Sequence, residues 1–470
     1  MLERRRTQLG FADGLIAEEV ADLREPWMVR ADAVLDDEEI IAAVYEALAN
    51  RHPQSRRRGR PGAPAEVVLR LLVLKHIRNW SYAVLEREVR ANLVYRSFTR
   101  IGGGKAPDAK TMGRWGVALG PQVVKQLHER VVQIARQDQA IAGRRMRVDT
   151  TVVETNIHYP TDSGLLGDGV RVLTRAMRRV TGLVGTVGTQ LRDRSRSVKL
   201  RVLEIARVAR ATRGADKARL SQTYRRLLDA TSRVAGQAKR FADEIARGVK
   251  QCVRRRKQAV LAGIRQELER MVPLVRRVMR QTRARVFGGN THLPDKLVSL
   301  FEPTTEIIRK GKAAKPTEFG KMVKLQEAEN QVIVDYEVYD RRPSDSDLLV
   351  PSLDAHLALF ARPPHLLAAD AGFYSNKNEK AAKRKGVRRV CIPNRSTKSA
   401  KRKREQKKPW FRNGQKWRTG CEGRISVVKR RHGLNRCRYK GEDGMKRWVG
   451  LGVIADNLIS LAAIERPTRK

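Results

Sequence analysis

Three acidic residues are the strongest candidates for chemistry in this sequence. Asp149 lies within a β-branched stretch, Asp370 directly follows an apolar stretch, and Glu422 lies in a segment with helical spacing. Transfer of a phosphoryl group requires charge neutralisation at the attacking and leaving oxygens. Two divalent ions about 3.5 to 4 Å apart supply it when clustered carboxylates hold them. We therefore expect these three side chains to converge as metal ligands.

Each aspartate has a simpler explanation when it is considered alone. On a strand, Asp149 points away from Val148 and Val152, and exposed sheet faces routinely carry such polar residues. Asp370 lies at the carboxyl edge of a predicted sheet, where sites in α/β proteins gather, but an Asx turn would also explain it. A functional role for either aspartate is favoured only if its carboxylate lies close to those of the other candidate acids.

The helix-like segment around Glu422 adds two cations. At about 100° per residue, Arg418 and Lys429 fall within roughly 40° of Glu422, whereas Cys421 and Val428 turn toward the core. Arg418 and Lys429 are therefore predicted to grip DNA phosphates beside the site. A surface ion pair between Arg418 and Glu422 is the alternative, but it gives no reason for the two aspartates.

The overall charge indicates a polyanionic partner. Lys and Arg number 98 against 50 Asp and Glu, a formal net charge of +48. Such self-repulsion is relieved by nucleic acid. An RNA-coating protein also fits this composition, although an aromatic content of 5% argues against binding single strands by stacking, so duplex DNA is favoured.

Compartment and membrane topology follow from what the sequence lacks. It has no apolar run long enough for a membrane span and no signal-peptide pattern at the N-terminus. The four cysteines, Cys252, Cys391, Cys421 and Cys437, form no C-x-x-C pair. This spacing favours a reducing compartment and argues against a disulfide framework or a zinc site, so we expect a cytoplasmic protein.

The length of 470 residues suggests roughly three domains, and the first part of the chain is predicted to be helical. An acidic helix is expected within residues 1–50, and the basic run Arg56–Gly62 is expected to be a hinge or a groove-reaching arm. Further helices are predicted from Pro64, after the N-cap Ser81 and near Asp108. A helix-turn-helix DNA reader and a simple all-α packing explain them equally well.

Later segments change in character. Residues 170–290 have helical apolar spacing and abundant Arg, which predicts long paired helices with basic faces. After residue 317 the pattern favours a partly parallel sheet. Its predicted elements are the hairpin strands Met322–Leu325 and Val332–Tyr339 with Glu327–Asn330 as the turn, a strand Leu366–Asp370, a helix Asn376–Arg384 and a strand Arg389–Ile392. The basic run Lys398–Lys408 fits a DNA-gripping loop or a disordered solvated tract.

Three stretches together carry a family resemblance: Val148–Asp162, Ala369–Ser375 and Arg418–Lys429. The chain resembles bacterial insertion-sequence transposases of the DDE class, which have a ribonuclease H-like catalytic domain. The last stretch is similar to the family pattern Tyr-x2-Arg-x3-Glu-x6-Lys. Gln415 replaces the tyrosine, so Trp417 and Phe411 are the neighbouring candidates for stacking on a DNA base.

The resemblance implies a mixed α+β and α/β fold. It has an all-helical DNA-binding region at residues 1–140, and a ribonuclease H-like mixed sheet whose first strand lies in residues 141–164. A helical insertion then occupies residues 165–300, and the remainder of the catalytic domain residues 301–470.

The family resemblance also implies an activity. The enzyme would bind the terminal inverted repeats of its element, hydrolyse the phosphodiester at each end, and direct the freed 3′ hydroxyl at target DNA. Asp149, Asp370 and Glu422 would hold two Mg²⁺ ions, for which Mn²⁺ can substitute. The expected assembly is a homodimer or larger synaptic complex on double-stranded DNA in the bacterial cytoplasm, associated with the nucleoid.

Two other functions and several other acids remain open. A DNA-binding regulator derived from a transposase would lack catalysis, and a structure-specific nuclease of the same fold would cut DNA without joining it. Other acids that could approach the sheet are Glu154, Asp162, Asp168, Asp335 and Asp340.

Overall fold

The structure is a computed structural model. It describes residues 2–6, 10–52, 54, 56, 58, 62–185, 188–208, 214–248, 255–309 and 316–464. The chain divides into two compact units: unit 1 comprises Met1–Asn156 and Ile308–Lys470, and unit 2 comprises Ile157–Ile307. Most of the predicted basic arm at Arg56–Gly62 lies outside the described residues, as does Cys252. In the described part, no helix combines the length and apolarity needed to cross a membrane.

Among the described residues, the first part of unit 1 contains seven helices. They are α1 (Phe11–Glu19), α2 (Pro26–Leu35), α3 (Glu38–Ala49), α4 (Ala65–Ile77), α5 (Tyr82–Ala91), α6 (Leu93–Phe98) and α7 (Ala109–Gln137). The side chains of Asp37, Ser81 and Asp108 accept hydrogen bonds from the first-turn N–H groups of α3, α5 and α7, so local sequence sets where these helices begin. Every residue of α4 is buried, and the other helices pack around it.

Unit 2 is helical. Its helices are α8 (Asp162–Val184), α9 (Ser195–Val208), α10 (Gly214–Gly248) and α11 (Arg255–Val286). Apolar side chains at helical spacing, among them Leu173, Leu227 and Val275, close a core whose described residues all belong to unit 2. The helices predicted for residues 170–290 are therefore present.

The sheet has six strands among the described residues. They are β1 (Arg145–Glu154), β2 (Glu306–Arg309), β3 (Thr317–Glu327), β4 (Ile333–Val338), β5 (Leu366–Ala369) and β6 (Arg389–Cys391). The strand order is β2-β3-β1-β5-β6, with β4 also paired to β3. β1 is antiparallel to β3 and parallel to β5, and β5 is parallel to β6. The predicted partly parallel sheet is confirmed.

Five helices complete the part of unit 1 that the structure describes: α12 (Leu349–Phe360), α13 (Asn376–Arg384), α14 (Ala400–Lys407), α15 (Pro409–Arg431) and α16 (Gly441–Ala462). The helix α16 is buried along nearly its whole length and packs against α2, α4, α7 and β4. It thereby joins the helical core to the sheet. The helix α15 packs against β1 and β5. The chain is thus a mixed α+β protein, mostly helical, with a mixed sheet.

Candidate active site

The two aspartates lie side by side because of strand register. Val148 on β1 pairs with Ala369 on β5 in the parallel part of the sheet. Asp149 directly follows Val148, and Asp370 directly follows Ala369. Paired residues of neighbouring strands face the same side of a sheet, and adjacent strands lie about 4.8 Å apart. Val148 and Ala369 are fully buried, as a strand that packs its other face on the core requires.

The third acid approaches from α15, four residues after an arginine that connects it to the sheet. Arg418 Nη1 lies 3.6 Å from Asp149 Oδ2, and Arg418 Nη2 donates to Glu422 Oε1 at 2.6 Å. The side chain of Asp149 is 16% exposed, that of Asp370 46% and that of Glu422 58%. Arg418 therefore connects the carboxylates of Asp149 and Glu422, and Asp149 is the least exposed of the three acids.

The charges of the three acids act on the Arg418 guanidinium. Burial lowers its pKa, but the hydrogen bond to Glu422 and the charges of Asp149, Glu422 and Asp370 outweigh burial and raise the pKa overall. Arg418 therefore stays protonated at every physiological pH. It balances part of the negative charge that would otherwise force the carboxylates apart.

The donor types fit a magnesium site. Carboxylate oxygens are the ligands that Mg²⁺ and Mn²⁺ prefer, and two of the three carboxylates are accessible to solvent. Within the described part of the chain, however, no three Asp, Glu, His or Cys side chains stand close enough together to hold one metal ion. In this structure Asp149 and Glu422 contact Arg418 instead.

The remaining residues of the predicted α15 pattern have varied surroundings. Lys429 is half-buried on α15, and Gln415, in the place of the family tyrosine, donates to the Cys391 carbonyl at 2.8 Å. Phe411 is buried in a small core with Cys391, so the prediction that it stacks on a DNA base is wrong. The ring of Trp417 is half-buried and lies 4.9 Å from the Arg147 guanidinium.

The alternative acids are engaged elsewhere. Burial raises the pKa of Asp335, but Lys324 and Lys125 outweigh this and lower it overall. The partners of the five are Arg436 for Glu154, Arg285 for Asp162, Arg171 for Asp168, Lys324 and Lys125 for Asp335, and Lys446 for Asp340. None of them contacts Arg418 in an ion pair between described residues.

Three charged residues beside the site were not predicted from the sequence. Arg395 Nη2 lies 4.0 Å from Asp370 Oδ1, and Asp345 accepts a hydrogen bond of 3.0 Å from the hydroxyl of Thr150, next to Asp149. Arg147, two residues before Asp149, forms a buried ion pair with Glu327. Of the three, only Arg147 could have been predicted to lie beside the site from the sequence, because it is two residues from Asp149 and residues two apart on a strand share a face.

Glu327 also corrects a predicted boundary. The residue was expected to begin the hairpin turn, but it is the last residue of β3 and is fully buried. The turn itself contains Glu329–Gln331 as a short 3-10 helix. A buried carboxylate at a strand end is sustained here by its arginine partner, which the local sequence does not reveal.

A strongly basic surface begins near Asp370. Residues 393–419 contain eleven Lys and Arg and one acid, Glu405. The segment Lys398–Lys408, which fitted either a gripping loop or a disordered tract, contains the ordered helix α14. Arg402 anchors α14 through Glu379 and the Ile392 carbonyl, and it also contacts Glu405 within the same helix. The other cations of the segment point outward: Lys398, Lys401, Lys403, Arg404, Lys407 and Lys408 are exposed.

Two parts of the chain match models of known families. A transposase domain model (DUF772) matches residues 19–116, which include α2 to α6. A transposase DDE domain model matches residues 376–462, which include Arg418, Glu422 and Lys429. The two matches support an insertion-sequence DDE transposase. Asp149 and Asp370 lie outside both matched ranges.

One curated relative matches about a quarter of the chain. The uncharacterized protein ORF8 in the nfe locus of Rhizobium meliloti is 33% identical to the chain over 128 residues. The match spans 26% of this chain and 61% of that relative. No solved structure matches the chain.

Proposed function

We propose that this protein is a DDE transposase that binds the terminal inverted repeats of its own insertion sequence and catalyses metal-dependent cleavage of the DNA ends and strand transfer. The observation that carries the proposal is that Asp149 and Asp370 directly follow the paired residues Val148 and Ala369, and that Arg418 connects Asp149 to Glu422. These three acids are separated by long stretches of sequence, and a structural ion pair between Arg418 and Glu422 alone would not require the aspartates.

The chemistry would be divided among the residues as follows. Asp149, Asp370 and Glu422 would hold Mg²⁺, or Mn²⁺ in its place, with two ions expected. When bound, the ions neutralise charge on the attacking and leaving oxygens. Asp149, the least exposed of the three, would fix the position of the site, because its backbone is paired with Leu325 on β3 and the preceding Val148 is paired with Ala369 on β5. Arg418 and Lys429 would contact phosphates on either side of the scissile bond.

The basic surface of α14 supports a path for the duplex. Its exposed lysines and arginines lie on the same segment as Arg395, which approaches Asp370. A duplex carries one phosphate charge per about 1.7 Å of its axis, so a helix with outward cations matches its backbone. We infer that DNA flanking the scissile phosphate lies along α14, and that the DUF772-matched helices bind elsewhere on the ends.

Architecture and assembly belong to the same proposal. The order of parallel and antiparallel strands, with acids on β1 and after β5 and on a following helix, supports a ribonuclease H-like catalytic domain. In that division, residues 1–140 bind DNA and residues 165–300 are an insertion. Joining two ends requires that both be held together, so the active form would be a homodimer or larger complex on DNA.

The test is Mg²⁺- and Mn²⁺-dependent cleavage of a duplex carrying the ends of the element. Wild type is compared with Asp149→Asn, Asp370→Asn and Glu422→Gln at matched salt. Each substitution keeps the side-chain shape and removes the charge, and each should reduce the cleavage rate roughly 100-fold or more with little change in DNA affinity. Glu337→Gln, an exposed acid on β4, is the matched control and should cut as wild type does.

Each outcome separates the candidates. Variants that bind but do not cut support the three-acid site, whereas variants that cut as wild type does would show that the site is elsewhere. A wild type that binds and never cuts would favour the regulator. Cleavage without joining of the 3′ ends to a target duplex would favour a structure-specific nuclease.

A further inference from the structure

A buried ion pair connects the sheet to the helix that carries Glu422. Arg147 on β1 and Glu327 on β3 are direct partners in the antiparallel register. Their side chains are 5% and 0% exposed, and Arg147 Nη2 donates to Glu327 Oε2. An unpaired charge would be strongly destabilising at this depth, so each side chain stabilises the other in this one geometry.

The same guanidinium also holds α15. Arg147 Nη1 donates to the main-chain carbonyl of Trp417 at 2.6 Å, and the Trp417 ring lies 4.9 Å from the guanidinium carbon. A carbonyl oxygen has two lone pairs, so it accepts this bond in addition to its helical one. Trp417 immediately precedes Arg418, so the helix is fixed to β1 one residue from the arginine of the site.

A glycine allows this approach. A Cβ on Gly420 would lie 2.5 Å from Arg147 Nη1, too close for any side chain without displacement. Glycine is otherwise disfavoured inside a helix, so its presence at this position is explained by the arginine. Gly423, one turn further on the same helix, would meet nothing within 4 Å.

We propose that Arg147 and Glu327 are positioning residues that hold α15 on β1, so that Arg418 and Glu422 face Asp149. The inference rests on the proposed function, because it concerns the same carboxylates. The pair touches no reacting group. It sets the distance between one carboxylate on the sheet and another on a helix, which no local sequence fixes.

Cys421 offers a separate measure of this docking. It lies on α15, and its side chain is fully buried. A buried thiol is shielded from alkylating reagents and reacts slowly, so its rate of modification increases when α15 separates from the sheet.

The experiment compares Gly420→Ala with Gly423→Ala in the full chain. Gly420→Ala should lower kcat for end cleavage roughly tenfold, because it changes the position of Glu422 relative to Asp149. KM and the Kd for DNA should stay within about twofold, because the DNA contacts do not change. Alkylation of Cys421, located by mass spectrometry of the peptide, should be faster. Gly423→Ala should match wild type in every measurement. Equal behaviour of the two variants in both kcat and alkylation would overturn the proposal.

A double-substitution cycle tests whether Gly420 acts through Arg147. Arg147→Lys removes the atom that the new Cβ would meet, so adding Gly420→Ala to it should have almost no further effect on kcat. Effects that multiply instead would contradict the proposal. If Gly420→Ala does not fold, Glu327→Asp, which shortens the carboxylate by one methylene, takes its place with the same expected kcat and alkylation changes.

Failure of the proposed function is recognised separately. A wild type that never cleaves its own ends overturns the transposase activity. The positioning inference then stands or falls on the alkylation rates of Cys421 alone, because those need neither DNA nor metal.

Discussion

At the scale of single residues, Arg418 has more partners than one phosphate contact explains. Its guanidinium pairs with Asp149 and Glu422 together, which uses two of its nitrogens. A guanidinium has five N–H donors in a planar fork, so it can balance two carboxylates and still offer a donor. The sequence predicted that Arg418 binds a DNA phosphate. The structure adds the two carboxylates as partners, so the contribution of each partner to DNA affinity and to cleavage must be measured.

Arg418→Lys separates these roles, because a lysine keeps the positive charge but lacks the planar fork whose two nitrogens contact Asp149 and Glu422. We expect the cleavage rate to fall roughly tenfold while DNA affinity changes less than about threefold. Arg412→Lys, on an exposed part of the same helix, is the matched control for a changed cation. Equal reductions of affinity and rate at Arg418 would instead indicate that its main partner is a phosphate.

Lys75 is a buried cation of a different kind. Its Nζ lies 4.7 to 4.9 Å from the ring centres of Tyr82, Tyr439 and Trp448, and no described acid forms an ion pair with it. Burial, followed by the charge of Arg438, lowers the pKa of Lys75 to about 7. The folded protein therefore favours a neutral lysine, whereas the unfolded chain keeps it charged up to a pKa of 10.5.

The stability of the protein should reflect this lysine between pH 7 and about 10. The unfolded chain binds more protons than the folded chain in that window, so the lysine destabilises the fold at pH 7 and less as pH rises. Lys75→Met should raise the free energy of unfolding by about 1 to 3 kcal/mol at pH 7, with the gain shrinking toward pH 10. Lys110→Met, at an exposed position of α7, should show no such trend in urea titrations. A gain that does not vary with pH would contradict this pKa.

At the scale of elements, α14 is where the electrostatic part of DNA binding should be measured. Replacing Lys401, Lys403 and Lys407 with Gln should reduce the slope of log K against log salt by about 0.9 for each phosphate that is no longer neutralised. The three substitutions together should reduce the slope by about 2 to 3. The control removes the same charge from exposed positions of α10, with Arg226, Arg233 and Lys239 changed to Gln. If both triple variants shift the slope equally, α14 has no special place on the duplex.

Most elements of unit 1 could be predicted because their signals are local. The N-caps Ser81 and Asp108 begin helices where expected, and the apolar stretch before Asp370 forms the expected buried strand β5. The same holds for α13. In each case a cap, a periodicity or a short apolar run determines the element without help from distant residues.

The ion pair behind the site could not be predicted in the same way. Glu327 was expected in a turn because an acid beside polar residues is usually exposed. Its burial depends on Arg147, 180 positions earlier in the chain. The role of Gly420 likewise depends on the distance between helix and sheet, which periodicity does not contain. Tertiary partners decided these positions, and they are the ones nearest the candidate site.

At the scale of the whole molecule, the sequence of unit 2 interrupts a pair of neighbouring strands. Glu154 at the end of β1 pairs with Gly320 on β3, and Thr155 N–H donates to the Phe319 carbonyl at 3.0 Å. Two antiparallel strands with such close ends need only a short turn. Among the described residues, the core of unit 2 contains no residue of unit 1, so each unit closes a core of its own.

Replacing residues 157–316 with a short Gly-Ser linker should therefore leave a chain that folds cooperatively. We expect one thermal transition by circular dichroism and a mixed α+β spectrum, although removal of β2 exposes an edge of β3 and should reduce solubility. The excised residues 157–307 should be helical when expressed alone. A shortened chain without a cooperative transition would contradict the independence of unit 1.

The central position of β1 also has a consequence for synthesis on the ribosome. Both of its neighbours, β3 and β5, are made after unit 2, and the Glu422 carboxylate follows Asp149 by 273 positions. At roughly 5 to 20 residues per second, the last acid is delayed by about 14 to 55 s. For the first part of this delay β1 has neither partner strand, while unit 2 has time to fold. A chain released during the delay keeps the helices that match the transposase domain but lacks the last acid. Under the proposed function, premature termination would therefore yield a product that competes for DNA but cannot assemble the three carboxylates.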